Sequence, residues 1–219
     1  MPPPKQRPHD RASENFEAGY RVVQQHPLFH RMLLGSARAM RESATRYPPN
    51  GWALVDPFGT IYVHPKRLAA PEEWAWVLAH CCLHLGLSHF QKRLKQAEWD
   101  AACDCIVHRF LAPLKIGRPP VELSGVPVDD LPGRTEDALY RYFCEQGIPK
   151  HLQSISLTGT RESDMIDIDR ATPAAELGWK RAFAEGLRLA VADAVESAGP
   201  RDERGKHSRA LTAAQRARN

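Results

Sequence analysis

The stretch His80-Cys81-Cys82-Leu83-His84 constrains this chain more than any other. Two histidines four residues apart on a helix stand about 40° apart around the axis and about 6 Å apart along it, so one metal ion can take both imidazoles. The flanks predict that helix. Pro71 suits a first turn, Glu72 and Glu73 place negative charge at the positive end of the dipole, and Trp74, Val77, Leu78, Cys81 and Leu85 recur at three- and four-residue spacing. In the His-Glu-x-x-His arrangement of zinc peptidases the residue after the first histidine is the glutamate that moves protons. Here that position is Cys81, which is too short to act by the same route. The chain signals a metal site and withholds the base usually attached to it; Cys81→Glu would put an acceptor back.

Further ligands decide whether the pair holds metal or is ordinary helix surface. A second helix is expected over 98–111, with Trp99, Ala102, Cys103, Ile106, Val107 and Phe110 on its apolar stripe and Asp100, Asp104 and His108 recurring every four residues beside it. Those three read either as a solvated face or as site residues. Asp104, between Cys103 and Cys105 in an apolar turn, is costly to bury unless a cation neutralises it. It is the preferred third ligand, with water completing a tetrahedron. His89 is the competitor; five residues beyond His84, it points away on an unbroken helix and reaches the ion only if the chain turns near Gly86. Imidazoles with a carboxylate suit zinc better than calcium or magnesium. If the site is hydrolytic, the missing base is supplied by another group such as Glu73, Asp100 or His108, or by the ion and substrate alone.

The 219 residues, 42% of them apolar, suffice for one domain with extensions. Residues 1–13 are rich in proline and charge and read as disordered, 14–198 as the folded domain, and 199–219 as a basic disordered tail. The net charge of +4 sits in that tail, whose six basic residues face two acids; the remainder is balanced at 24 against 24. With no aromatic platform beside it, the tail does not predict specific nucleic-acid binding. The N-terminus has basic residues without a following apolar run, and no membrane-spanning run is present, so cytoplasm is the expected location. Five cysteines fit a reducing compartment, and their spacing does not match a four-thiolate site; Cys82 and Cys144 read as small buried residues.

Residues 15–43 look helical with a break or start at Pro27. Residues 52–56 and 61–64 alternate around Pro57-Phe58-Gly59-Thr60 as a β-hairpin, whose edge either receives an extended polypeptide or simply covers the helix. Residues 113–133, with five prolines, predict a long loop that could shape a cleft wall. Thr135 caps a helix over 135–146 with Leu139, Tyr142 and Phe143 inward. Residues 164–169 alternate like a short edge strand, and their aspartates lack the glycine and terminal glutamate of a calcium loop. A last amphipathic helix over 176–198 carries Leu177, Phe183, Leu187, Val191 and Val195 on one side.

Five blocks, residues 51–55, 59–65, 77–89, 99–104 and 135–140, resemble in order and spacing the bacterial metallopeptidase domain found with von Willebrand factor A-like domains. The resemblance covers roughly residues 20–145. It implies an α+β, mainly α, zincin-like fold in which the metal-site helices pack against a small β-hairpin or sheet. It matches His80, His84, His89 and Asp104 to the family's polar positions, while Cys81 stands where members carry glutamate. It also implies a bacterial cytoplasmic protein working beside an AAA+ ATPase and a von Willebrand A-like protein, with a polypeptide as substrate or partner. Two functions follow: a zinc-binding pseudo-metallopeptidase or scaffold, and an active zinc-dependent hydrolase with another base. A purely structural metal site is the third class.

Overall fold

The computed structural model of the chain describes residues 8–35, 37–41, 46–160, 162–166 and 173–198. The basic tail lies outside them. Among the described residues, six α-helices and a three-stranded sheet make an α+β fold that is mainly helical: α1 (Pro8–Gln25), α2 (Pro27–Gly35), β1 (Arg38–Met40), β2 (Ala53–Val55), β3 (Thr60–Val63), α3 (Pro71–Gly86), α4 (Gln96–Leu114), α5 (Glu136–Gln146) and α6 (Pro173–Ala198). Helix α1 takes up residues 8–13, which sequence alone placed in a disordered segment; Ala12 and Phe16 are buried and hold its start to the core.

The hairpin forms as its alternation predicts, with Leu54 opposite Tyr62 and Val55 opposite Ile61. Asp56 shapes its turn by accepting the Phe58 and Thr60 amides, each at 2.9 Å. The third strand departs from expectation. Residues 37–41 do not continue the preceding helix: the Ala37 amide closes α2 on the Met32 carbonyl, and β1 then pairs in parallel with β3, Arg38 opposite Thr60. The free edge of β2 is occupied by the chain itself. Val55 donates to the Asp164 carbonyl and accepts from the Ile166 amide, both at 2.8 Å, so at Val55 no edge is left for an incoming polypeptide.

Helix α3 is buried from Trp74 to Gly86 and packs against α1, α4, α6 and β2. A helix apolar on every side must be enclosed, and this one is the axis of the molecule. Helix α4 runs further than expected, carrying Pro113 in its last turn until Lys115 ends it at φ 52°. The start of the expected 113–133 loop is therefore helical. Thr135 caps α5 by accepting the Ala138 amide at 3.3 Å; Leu139 and Phe143 are buried, Tyr142 only half so.

Helix α6 docks through only part of the expected face. Trp179, Phe183 and Gly186 are buried while Leu177, Leu187 and Val191 are exposed; the Val195 side chain lies outside the described ones. The cause is close approach. A Cβ on Gly186 would stand 2.1 Å from the Leu28 carbonyl oxygen, and one on Gly86 would stand 2.6 Å from the Phe183 ring, so a glycine of α6 meets the α2 backbone and a glycine of α3 receives the Phe183 ring.

Candidate metal centre

Four buried side chains converge at the middle of α3: His80, His84, Asp104 and Asp164, with ligand atoms all within 4.8 Å of one another. The helix sets His80 and His84 on one face, their Nε2 atoms 2.9 Å apart. Helix α4 brings Asp104, whose Oδ1 is 3.3 Å from His80 Nε2 and 3.2 Å from His84 Nε2. Asp164 comes from the far side, 3.1 Å from His80 and 3.8 Å from His84. Main-chain bonds deliver it: the Trp52 amide donates to the Leu157 carbonyl at 2.7 Å and the Val55 amide to the Asp164 carbonyl, laying the 157–166 segment along β2. A hydroxyl net stiffens it, with Thr158 Oγ1 donating to the Glu162 carbonyl at 2.8 Å and lying 3.2 Å from Ser156 Oγ.

The spacing fits a metal ion. Nitrogen and oxygen ligands about 2.0–2.2 Å from a tetrahedral zinc stand about 3.3–3.6 Å from one another; the contacts of Asp104 with both histidines and of Asp164 with His80 lie near this, while the two histidine nitrogens stand closer and His84 and Asp164 slightly wider. The donor set fits as well: two neutral imidazoles and two carboxylates carry two negative charges into the core, and one dication balances them. Asp104 Oδ1 and Asp164 Oδ1 are buried and both face His84 Nε2, at 3.2 and 3.8 Å. These four side chains can hold a metal ion.

Without a cation, protons take its place. Burial alone would lower the His80 pKa, but hydrogen bonding to Asp104 and Asp164 and their charges raise it to about 9. Burial likewise works against the Asp104 carboxylate, yet His80 and His84 hold it well below the usual carboxylate range.

His89 is not among the four. The turn that redirects it lies at Ser88, φ 59°, rather than at Gly86. His89 Nδ1 then sits 3.0 Å from His84 Nδ1, the nitrogen facing away from the cluster, and its Nε2 sits 3.3 Å from Glu136 Oε1. Burial lowers the His89 pKa to about 4. Cys81 is wholly buried within the main apolar cluster, and burial pushes its thiol well above the ordinary range, Asp164 adding to the effect. Cys82 shares that cluster, whereas Cys144 is half-exposed. Of the substitute bases, Glu73 caps α3 by accepting the Ala70 amide at 2.9 Å. His108 is buried with its ring 4.9 Å from that of Trp76, and desolvation lowers its pKa to about 3. Asp100 lies half-buried in a cleft, where burial raises its pKa to about 6.

That cleft, about 290 Å³, is walled by α4 and by residues 148–163 rather than by 113–133. Asp104 lines it; His80, His84 and Asp164 do not. No family model, curated protein or solved structure matches this chain.

Asp164 is the site residue that sequence reasoning missed. The alternation at 164–166 pointed to a strand edge, and a single β-bridge at Met165 is what forms; 167–169 lie outside the described residues. Reading that alternation together with the need for charge balance at Asp104 was the available signal.

Proposed function

We propose that this chain is a zinc-holding, zincin-like domain in which the metal clamps the fold, and that it serves as a binding or scaffolding module rather than as a peptidase. One observation carries the reading: four protein side chains, all buried, bring ligand atoms within 4.8 Å of one another, the number that a closed tetrahedral site uses. Structural zinc sites are closed in this way, whereas catalytic ones keep a position open. Two further features support it. Cys81 offers no acceptor, and the cleft reaches only Asp104. The resemblance of the five blocks suggests a setting beside an AAA+ ATPase and a von Willebrand A-like protein, and Cys81 at the glutamate position suggests a polypeptide held without cleavage. Five cysteines free of disulfides favour a reducing compartment such as the cytoplasm, and no helix among the described residues is long and apolar enough to cross a membrane.

A specific observation favours a second reading. Asp100 shares the cleft with Asp104 one helical turn away, takes a hydrogen bond from Gln96 Nε2 at 2.8 Å, and has its pKa raised by burial to about 6, within the range of a general base. In that reading the chain is a metal-dependent hydrolase and Asp100 accepts the proton.

The experiment is cleavage of unstructured polypeptide by protein purified without chelator or polyhistidine tag. The proposal expects bound metal and no cleavage above background. Chelator-sensitive cleavage that is lost in His84→Ala would overturn it, and further loss in Asp100→Asn would establish the hydrolase.

A further inference from the structure

We infer that His89 and Glu136 are positioning residues that fix the tautomer and ring angle of His84, so that its Nε2 lone pair is held toward the metal. The inference rests on the metal reading above and adds to it. If His84 ligates through Nε2, its proton is on Nδ1. That nitrogen is 3.0 Å from His89 Nδ1, so it donates there and His89 Nδ1 accepts. The proton of neutral His89 is then on Nε2, which faces Glu136 Oε1 at 3.3 Å and donates to the carboxylate. With both rings neutral, the reverse order, His89 Nδ1 donating to His84 Nδ1, would leave the bare His89 Nε2 facing the Glu136 carboxylate with no proton between them; the order that puts a proton in both contacts is the one that leaves His84 Nε2 free to bind. Ligating histidines are commonly held by such an outer partner, whose loss costs about 10- to 100-fold in metal affinity.

Two features argue against mere packing. The anchor of the His89 backbone is independent of its ring: Trp99 Nε1 donates to the His89 carbonyl at 2.8 Å, and the His89 amide bonds the His84 carbonyl at 3.1 Å. The two ligating histidines also differ. His80 Nδ1 is buried with no hydrogen-bond partner among the described residues, so the support is built for His84 alone. Glu136, the first residue of α5, couples that helix to the site although it lies outside the cluster.

The test is zinc affinity by competition with a chromophoric chelator, paired with ¹⁵N-histidine NMR of the zinc-loaded protein. His89→Leu should bind zinc about 10- to 100-fold more weakly, and its His84 Nδ1–H should exchange faster with solvent. His89→Asn, whose amide oxygen can accept near the place of Nδ1, should recover most of the loss. Should His89→Leu not fold, Glu136→Ala decides: it should bind zinc about 10-fold more weakly than wild type, and the His89 Nε2–H resonance should shift. Wild-type protein that takes no zinc would sink the metal reading and this inference with it. Zinc-binding wild type with His89→Leu or Glu136→Ala unchanged in both affinity and spectrum would overturn this inference alone, as would a spectrum showing zinc on a His89 nitrogen.

Discussion

The charge of the cluster sets how single residues respond to pH and substitution. A group whose pKa is raised on folding stabilises the fold fully below its unfolded value and loses that contribution as pH passes its folded value. For His80 this window runs from about 6.5 to about 9, so the metal-free protein should lose stability across it. At about 1.4 kcal/mol per unit the loss is on the order of 3 kcal/mol, counted once for the whole His80–Asp104–Asp164 group. His89 and His108 act in the opposite sense. Their pKa values are lowered on folding, so stability falls as pH drops from about 6.5 toward 4 and 3. Denaturant unfolding of chelator-treated protein should therefore show a maximum near neutrality, and metal should abolish the alkaline fall; a flat profile would contradict the charge assignment. Cys81→Glu, attractive from sequence as a way to rebuild a base, should instead destabilise by about 3 kcal/mol or more, because it buries a third carboxylate beside Asp164 and Asp104 in a packed core. Thermal unfolding of that variant measures it.

Elements were legible in sequence where pattern and contact are local. The α3 stripe, the hairpin turn at Asp56 and the Thr135 cap each depend on residues within a few positions, and each is found. Strand β1 was not legible, since three residues pairing in parallel with β3 leave no local period. The inner face of α6 was legible only at Phe183, because close approach otherwise uses Gly186 and alanines, which contribute little to an apolar stripe, while Leu177, Leu187 and Val191 face outward. Trp179 holds the helix to the hairpin turn, its Nε1 donating to the Pro57 carbonyl at 3.2 Å. Trp179→Ala should accordingly cost about 3–5 kcal/mol and Leu187→Ala less than about 0.5 kcal/mol. Comparable losses in both, by denaturant unfolding, would mean the docking face is wrong.

Across the whole molecule the cluster joins three segments far apart in sequence: α3, α4 and the stretch around Asp164. Asp104 and Asp164 are separated by α5, and only the pairing of 164–166 with β2 unites them, which is why the fourth member escaped a reading built on helix spacing. A ligand that binds only the folded chain stabilises it by about 4 kcal/mol at a thousand times its dissociation constant. Removing metal should thus lower the melting temperature and expose the 156–166 segment to proteolysis before the helices unfold. The most direct test is X-ray absorption at the metal edge of untagged protein, with metal content measured on the same sample. The account predicts one metal per chain with four nitrogen and oxygen neighbours at about 2.0–2.1 Å, two of them imidazoles, and a lower occupancy or altered shell in Asp164→Ala. Metal-free wild-type protein, or an Asp164→Ala spectrum and content identical to wild type, would contradict it.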